Sequence, residues 1–537
     1  MSRIPLPRAA ARPGQTVAGQ GREQARRRLT PAGWAIAVAT ALALGLRLFQ
    51  IFQPGHLLGV TEYDDGVYLG AALRLVHGVL PYRDFVLVQP PGLILLMTPV
   101  AALAKWTGTA GAMAVGRIVT AAAGAAAVPL AGRLVRHRGL LAVVITCGIL
   151  AVYPDAVAAA STVLQEPWLV LCCLAGAVAV FDGDHLTSSG RRLAWGGVAF
   201  GFAGAIKVWA VIPVLVIAAL SARRPRRAAV YLAGTAAGFL VTVLPFFALS
   251  PRVFYKGVIV AQLVRVDVTP VPVWTRLTSL TGLDGMTPVS NAAVLTASIA
   301  IPVLVAGLFA SAWLVTRTRP PALDWFALAT AVLLVVAFLW PADFYYHYAG
   351  FLAPFLALSA GLPAARLVTG VRQRQRSNGR RAFWRPAVAV AVTAIAAMAG
   401  AQAYHESRSK DSVTPEAAIA RVVPAGACVL TDEVSYTIAA NRFLSGEPGC
   451  PQIVDGEGTD LALSGGRNGV TGAGRTLAVY AVWDKALRGT QYVWLSSKLG
   501  SVEARRIAWT PALRAYFSSH FRPVRSPGVP PNLYKRD

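Results

Sequence analysis

Two adjacent carboxylates, Asp64 and Asp65, stand in the run Thr61-Glu62-Tyr63-Asp64-Asp65-Gly66-Val67-Tyr68, just after the first long apolar block. A carboxylate held where a membrane helix emerges can take the proton of an attacking hydroxyl, so this pair is the leading candidate for general-base chemistry at a membrane surface. The plainer reading is a solvated juxtamembrane loop. Other ionisable or polar residues recur far apart in the chain at Asp155, Glu166, Lys207 and His347-Tyr348. Singly each is ambiguous: Lys207 can snorkel and His347 can cap a helix. Together they would make a polar cavity able to deprotonate a hydroxyl and hold a lipid phosphate.

The elements that must position these residues are membrane helices. The chain has 537 residues, of which 55% are hydrophobic and only 14% charged. Its mean hydropathy is +0.53. Such a chain, with its apolar residues in long blocks, is too apolar for a soluble multidomain protein. A net charge of +26 would suggest nucleic acid in a soluble chain. Here the Lys and Arg fall in short runs between apolar blocks, which is a topology signal and leaves no case for a nucleic-acid partner.

Residues 1–32, with Arg22, Arg26, Arg27 and Arg28, read as a disordered cytoplasmic tail. Arg133, Arg136 and Arg138 mark a second inner point, so an even number of crossings must separate the two. Of the segments 33–52, 90–104 and 113–132, the one at 90–104 is shortest and holds Pro90, Pro91 and Pro99. It is assigned to the outer interface, packed against protein. The expected catalytic outer loop is therefore 53–112. Residues 193–221, basic on both flanks, read as a helical hairpin with Lys207 near its outer apex, where its ammonium reaches the headgroups. Continued to 404, the count gives about eleven crossings with the C-terminus outside, and it puts Asp64, Asp65, Asp155, Glu166, Lys207 and His347 at one membrane face.

Asp64-Asp65-Gly66-Val67-Tyr68, Gly78-Val79-Leu80-Pro81-Tyr82-Arg83-Asp84 and Gln89-Pro90-Pro91-Gly92-Leu93 resemble the first outer loop of GT-C glycosyltransferases, nearest to the protein mannosyltransferase and aminoarabinose transferase relatives. Gln165-Glu166-Pro167 is similar to their second acidic motif, Ala205-Ile206-Lys207 to their lysine hairpin and His347-Tyr348 to a late outer-face motif. The resemblance spans about residues 35–370. It implies a polyprenyl-phosphate sugar donor, Asp64 as base, and Asp65 orienting the loop. Gln89 stands where Lys or His often precedes the Pro in that group, which leaves Lys207 and Arg117 to bind the donor phosphate.

No His-x-x-x-His or Cys-x-x-Cys cluster suggests a metal, and no nucleotide-binding loop is present, so the site reads as metal-free and served by a lipid-linked donor. The glycines lie within apolar spans, where close helix packing explains them. After residue 405 alternation replaces long apolar blocks, and about 130 residues read as a small extracytoplasmic α/β domain. Strands are expected around Val429 and Val493, and a helix from Thr510-Pro511. Cys428 and Cys450 are a candidate disulfide there, while Cys147, Cys172 and Cys173 are packing residues. Asp432, Glu433 and Asp455 read as turn and surface acids, or as acceptor ligands.

The expectation is thus a polytopic α-helical membrane protein of the GT-C type with a C-terminal α/β domain. It would move a sugar to a hydroxyl of a cell-envelope glycan, lipid or protein at the outer face of the plasma membrane. The alternative is a lipid-linked glycan transporter, which should show internal repeats and mid-bilayer polar residues, neither of them evident.

Overall fold

The computed structural model describes residues 30–266, 270–341, 343–376, 384–408, 415–497, 499 and 506–537. The basic tail expected at 1–32 lies outside them up to residue 29. In chain order the helices of the apolar part are α1 (Pro31–Ile51), α2 (Tyr63–Val76), α3 (Gly92–Ala102), α4 (Ala104–Val135), α5 (Leu140–Val152), α6 (Pro154–Ala158), α7 (Gln165–Val180), α8 (Gly190–Ile206), α9 (Val211–Ser221) and α10 (Pro225–Leu249). Three short pieces follow, α11 (Pro251–Phe254), α12 (Ala261–Leu263) and α13 (Val273–Ser279). After them come α14 (Asn291–Thr316), α15 (Ala322–Phe338), α16 (His347–Arg376) and α17 (Trp384–Glu406). A two-stranded ribbon, β1 (Phe181–Asp182) and β2 (His185–Leu186), joins α7 to α8.

Six of these helices, α1, α4, α10, α14, α16 and α17, are long and apolar enough to cross a membrane. The segment expected to stay at the interface forms α3, whose 11 residues reach only about 16 Å, roughly half a hydrocarbon core. Helix α4 breaks near its start at Gly108, which takes φ 72°, a value that favours glycine.

The helices run between two polar layers. At one end lie the start of α2, Glu166 in the first turn of α7, Lys207 just after α8, and His347 at the start of α16. At the other end Arg138 pairs with Asp184 and Asp324, and Arg366 with Asp324. Helices α8 and α10 are parallel neighbours, because Gly234 abuts Ala194 and Gly238 abuts Val198. With Gly197 and Gly201 facing Thr235, two small-xxx-small faces bring the backbones together, the packing role expected for these glycines. Since α8 and α10 run the same way, α9 must return between them. The break at Lys207 is therefore the turning point of a hairpin.

The C-terminal part adds α18 (Glu416–Val422), α19 (Val434–Ala439), α20 (Gly456–Ser464), α21 (Leu477–Arg488) and α22 (Pro511–His520) around a four-stranded sheet. The strands are β3 (Val429–Thr431), β4 (Tyr492–Trp494), β5 (Phe521–Pro523) and β6 (Leu533–Arg536), in the order β3-β4-β6-β5, with only β3 and β4 parallel. Trp483, Val493, Leu513 and Phe517 fill its core. Thr510 caps α22 by accepting from Leu513 N at 3.2 Å, as its Thr-Pro start predicts. Cys428 and Cys450 form a disulfide across 22 residues, Cα to Cα 5.6 Å. Cys147, Cys172 and Cys173 are free thiols. Among the described residues, two helices of this part pack on the apolar part: α19 buries Val434, Ile438 and Ala439 in the same apolar cluster as α2 and α4, and α20 buries Leu461 and Ala462 against Val88 and Ala261.

Candidate active site

Glu62 caps α2, accepting from Tyr63 N at 3.1 Å, and thereby fixes where the helix begins. Asp64 and Asp65 are then consecutive residues of the first turn and diverge by about 100° around the axis. That divergence gives the two acids different fates. Asp65 points inward and is fully buried, paired to Arg117 through Nε at 2.8 Å and through Nη2, and accepting from Val163 N at 2.9 Å. Arg117 spends its remaining nitrogen on the carbonyls of His56 and Leu57. Asp65 therefore ties α2 to α4 and to the turn before α7, an orienting role.

Arg117 cannot be the phosphate ligand expected of it. Its side chain has no exposure, and four of its five N–H groups are already spent on Asp65 and the carbonyls of His56 and Leu57, because a buried guanidinium must be neutralised and hydrogen-bonded where it lies.

Asp64 faces a cavity of about 300 Å³. Among the described residues its carboxylate accepts no hydrogen bond, whereas every other carboxylate lining the cavity has a protein partner. Glu62 accepts from Tyr346 at 3.2 Å, Asp455 from Tyr63 Oη at 2.9 Å, and Glu457 from Arg265 at 3.2 Å and Asn468 at 3.2 Å. Burial first, then the neighbouring Glu62, raise the Asp64 carboxyl to about 6, against the pull of His347 and Lys207. The result is a base with open lone pairs and a proton affinity near neutrality.

Behind it Glu166 acts as a hub. Its Oε1 accepts from Lys207 Nζ at 2.5 Å and from His347 Nδ1 at 2.7 Å, and the Lys207 ammonium lies 4.9 Å from the Tyr348 ring. Lys207 does not reach headgroups as the sequence suggested; it is only 5% exposed, drawn inward by this pairing. Gln165 sets its position, accepting from Tyr68 at 3.0 Å and donating to the Ile206 carbonyl at 2.6 Å. Gln89, His347 and Tyr348 also line the cavity. Asp155 does not. It lies at the same end of the bundle, packed against Gly350 of α16, where burial and Asp284 push it up to about 8.

The C-terminal part closes the cavity. Asp455, Glu457 and Arg506 line it, together with Arg265 from the segment after α12. Arg265 pairs with Asp343 and Glu457 and donates to Tyr345 at 2.8 Å. Arg506 pairs with Glu433 and stacks 4.4 Å from the Tyr63 ring. Asp432, Glu433 and Asp455 are thus buried, not surface acids; Asp432 accepts from Ser496 and Asp455 caps α20. Burial holds Asp455 at about 6. Sequence reading missed Arg265, Glu457 and Arg506. The only sequence signal was an acid or arginine in otherwise apolar surroundings, which many residues share.

Helix α19 presses on α2 at Gly66, where a Cβ would meet the Ser435 Cα at 2.8 Å. Ser435 Oγ also donates to the Glu62 carbonyl at 3.0 Å, next to the turn that carries Asp64. Gly66→Ala is therefore expected to push α19 off α2 and to lower turnover at least about tenfold, because a shift of this size at a positioning contact is felt at the reacting atoms. Steady-state rates on purified protein check this; unchanged turnover would show that α19 does not position Asp64.

Residues 88–339 match the profile of Glycosyltransferase family 87. No curated protein sequence matches the chain. Among solved structures, ArnT from Cupriavidus metallidurans bound to undecaprenyl phosphate superposes with a TM-score of 0.54 at 16% identity, covering 77% of this chain and 86% of that one. The oligosaccharyltransferase of Archaeoglobus fulgidus in its apo form gives 0.52 at 13% identity, covering 86% of this chain and 69% of the other. The structural likeness establishes a fold shared with these membrane transferases, and the family profile matched over residues 88–339 is one of glycosyltransferases.

Proposed function

We propose that the protein transfers a sugar from a polyprenyl-phosphate donor to a hydroxyl of a cell-envelope glycan, lipid or protein, at the outer face of the plasma membrane. The observation that carries this reading is the free carboxylate of Asp64, facing a cavity that also holds Lys207, His347 and Arg265. The acceptor oxygen attacks the anomeric carbon as the bond from that carbon to the phosphate oxygen breaks. Asp64 takes the hydroxyl proton and the electron pair leaves on the lipid phosphate. Lys207 and His347, already fixed by Glu166, meet the negative charge that develops there, with Gln89 and Tyr348 beside them. This division of labour asks for no metal. ArnT, one of the similar structures, was solved with undecaprenyl phosphate bound, which supports a donor of this class.

The topology that goes with this reading has about eleven crossings, with α5, α7, α8, α9 and α15 as the shorter spans, and with the cavity and the residues after 405 outside. The positive flanks at Arg133, Arg136, Arg138 and Arg223 to Arg227 support it, since they lie at the helix ends away from Asp64. Within the 53–112 loop, α2 carries the base and α3 braces it.

The donor assignment is tested with Lys207→Gln, which keeps a hydrogen-bond donor for Glu166 and removes the charge. Purified enzyme supplied with a polyprenyl-phosphate sugar should show a donor KM raised at least about tenfold, the scale of one charge-assisted hydrogen bond, with acceptor KM unchanged. Equal rises in both constants would remove Lys207 from the donor phosphate.

A further inference from the structure

A second cavity, of about 440 Å³, opens at the far ends of the same helices, between the last turns of α4 and α7, the β1-β2 ribbon and the start of α8. The length of α7, 16 residues or roughly 24 Å, separates it from Glu166 and the catalytic cavity. Its volume falls within the roughly 300–1,000 Å³ typical of small-ligand sites. None of the residues used for transfer lines it.

The lining is divided by chemistry. On the rim stand Arg133 and Arg136, whose guanidinium groups make no hydrogen bond or ion pair among the described residues. Arg192 forms a fixed wall, donating to the carbonyls of Val178, Ala179 and Phe181. Opposing charge is slight. Asp182 is 3.6 Å from Arg192 but 76% exposed, so water screens it, and Asp184 is already shared between His137 and Arg138. The floor is apolar: Ala175 and Val178 carry the cavity up to about 9 Å below Phe181 along α7, from the charged rim toward hydrocarbon depth.

We propose that this cavity binds the phosphate headgroup of an anionic phospholipid, in the leaflet opposite the active site. Two unpaired guanidinium groups supply the fork geometry that phosphate oxygens accept, and the apolar floor takes the start of the acyl chains. A free phosphate ion would satisfy the rim but gain nothing from Ala175 and Val178. The bound lipid would brace α4 against α7 and α8, the helices whose other ends hold Arg117, Glu166 and Lys207.

The test uses the full chain in detergent, with thermal unfolding followed as dioleoyl-phosphatidylglycerol, dioleoyl-phosphatidylcholine or inorganic phosphate is added. Phosphatidylglycerol alone is expected to raise the unfolding temperature. In the Arg133→Gln, Arg136→Gln double variant the lipid concentration for half-effect should rise about tenfold to thirtyfold, the scale of two arginines near a lipid surface. Ala175→Phe, which fills the floor and leaves the charges, should abolish the effect of the lipid. Should the double variant not fold, Arg133→Gln alone carries the same test. An unchanged half-effect in the arginine variants overturns the site. Equal protection by phosphatidylcholine, or by inorganic phosphate at the same phosphate concentration, overturns the anionic lipid as its ligand.

Discussion

Asp64→Asn should lower transfer by roughly 10²- to 10⁴-fold while leaving the protein folded, because the amide keeps the shape of the carboxylate but cannot accept the hydroxyl proton. The expectation about folding follows from the sign of the pKa shift. The Asp64 carboxyl is raised from the ordinary 3.8 to about 6, so its ionisation opposes folding. That cost is absent below about pH 3.8, grows as pH rises from there to about 6, and is fully present above. Asn carries no such cost, and the variant should unfold at the same temperature as wild type or higher at neutral pH. The same shift predicts that wild-type kcat/KM falls on the acid side with an apparent pKa near 6, and that the residual rate of Asp64→Asn lacks this limb. Turnover of Asp64→Asn close to wild type would remove Asp64 as the base. An unfolded variant would show instead that the carboxylate is structural.

Removing the hub should act the other way, on stability first. Glu166→Ala leaves the buried Lys207 ammonium and the His347 ring without the oxygen that both donate to. Breaking a buried pair from one side costs about 3–5 kcal/mol, since the remaining charge stays buried and unpaired. Loss of transfer should follow, because the two groups assigned to the lipid phosphate are then no longer held. Glu166→Gln keeps an acceptor oxygen and should restore part of the stability but little of the rate. Thermal denaturation of the two variants in one detergent measures the difference; an Ala variant as stable as wild type would mean that Lys207 finds another partner. The contrast with Asp64 is physical. One carboxylate is poised for a proton and costs stability when ionised, whereas the other is neutralised where it lies.

Much of this was legible in the order of residues. The lengths of the apolar blocks and the basic runs between them follow from the thickness of a bilayer and the cost of moving charge across it. Both are local properties of the chain, and the helices fall close to the blocks read from them, from Pro31–Ile51 to Trp384–Glu406. The short α3 was legible for the same reason, as were the Thr510 cap and the strands at Val429 and Val493. So was the acidic pair itself, since two carboxylates beside a membrane helix are costly enough to stand out.

The tertiary structure decided which charges are used up and which are left free. By residue type and neighbourhood Asp64 and Asp65 are equivalent, and only the family resemblance separates them in the sequence. Only the packing of α2 against α4 gives Asp65 to Arg117 and leaves Asp64 open, and the same pairing takes Arg117 from the site. Asp155 and Glu166 both sit at the same end of the bundle, yet only Glu166 meets Lys207 and His347, while Asp155 packs against Gly350 and does not line the cavity. Arg265, Glu457 and Arg506 come from about 200 to 440 residues beyond Asp64 along the chain. Glu457 and Arg506 reach the cavity only because the C-terminal part docks there, with α19 beside Gly66 and α20 on Val88 and Ala261. Periodicity reports which face of an element avoids water, over a few residues at a time. Whether a charge on that face finds a partner depends on distances between elements, which are set only when the whole core closes.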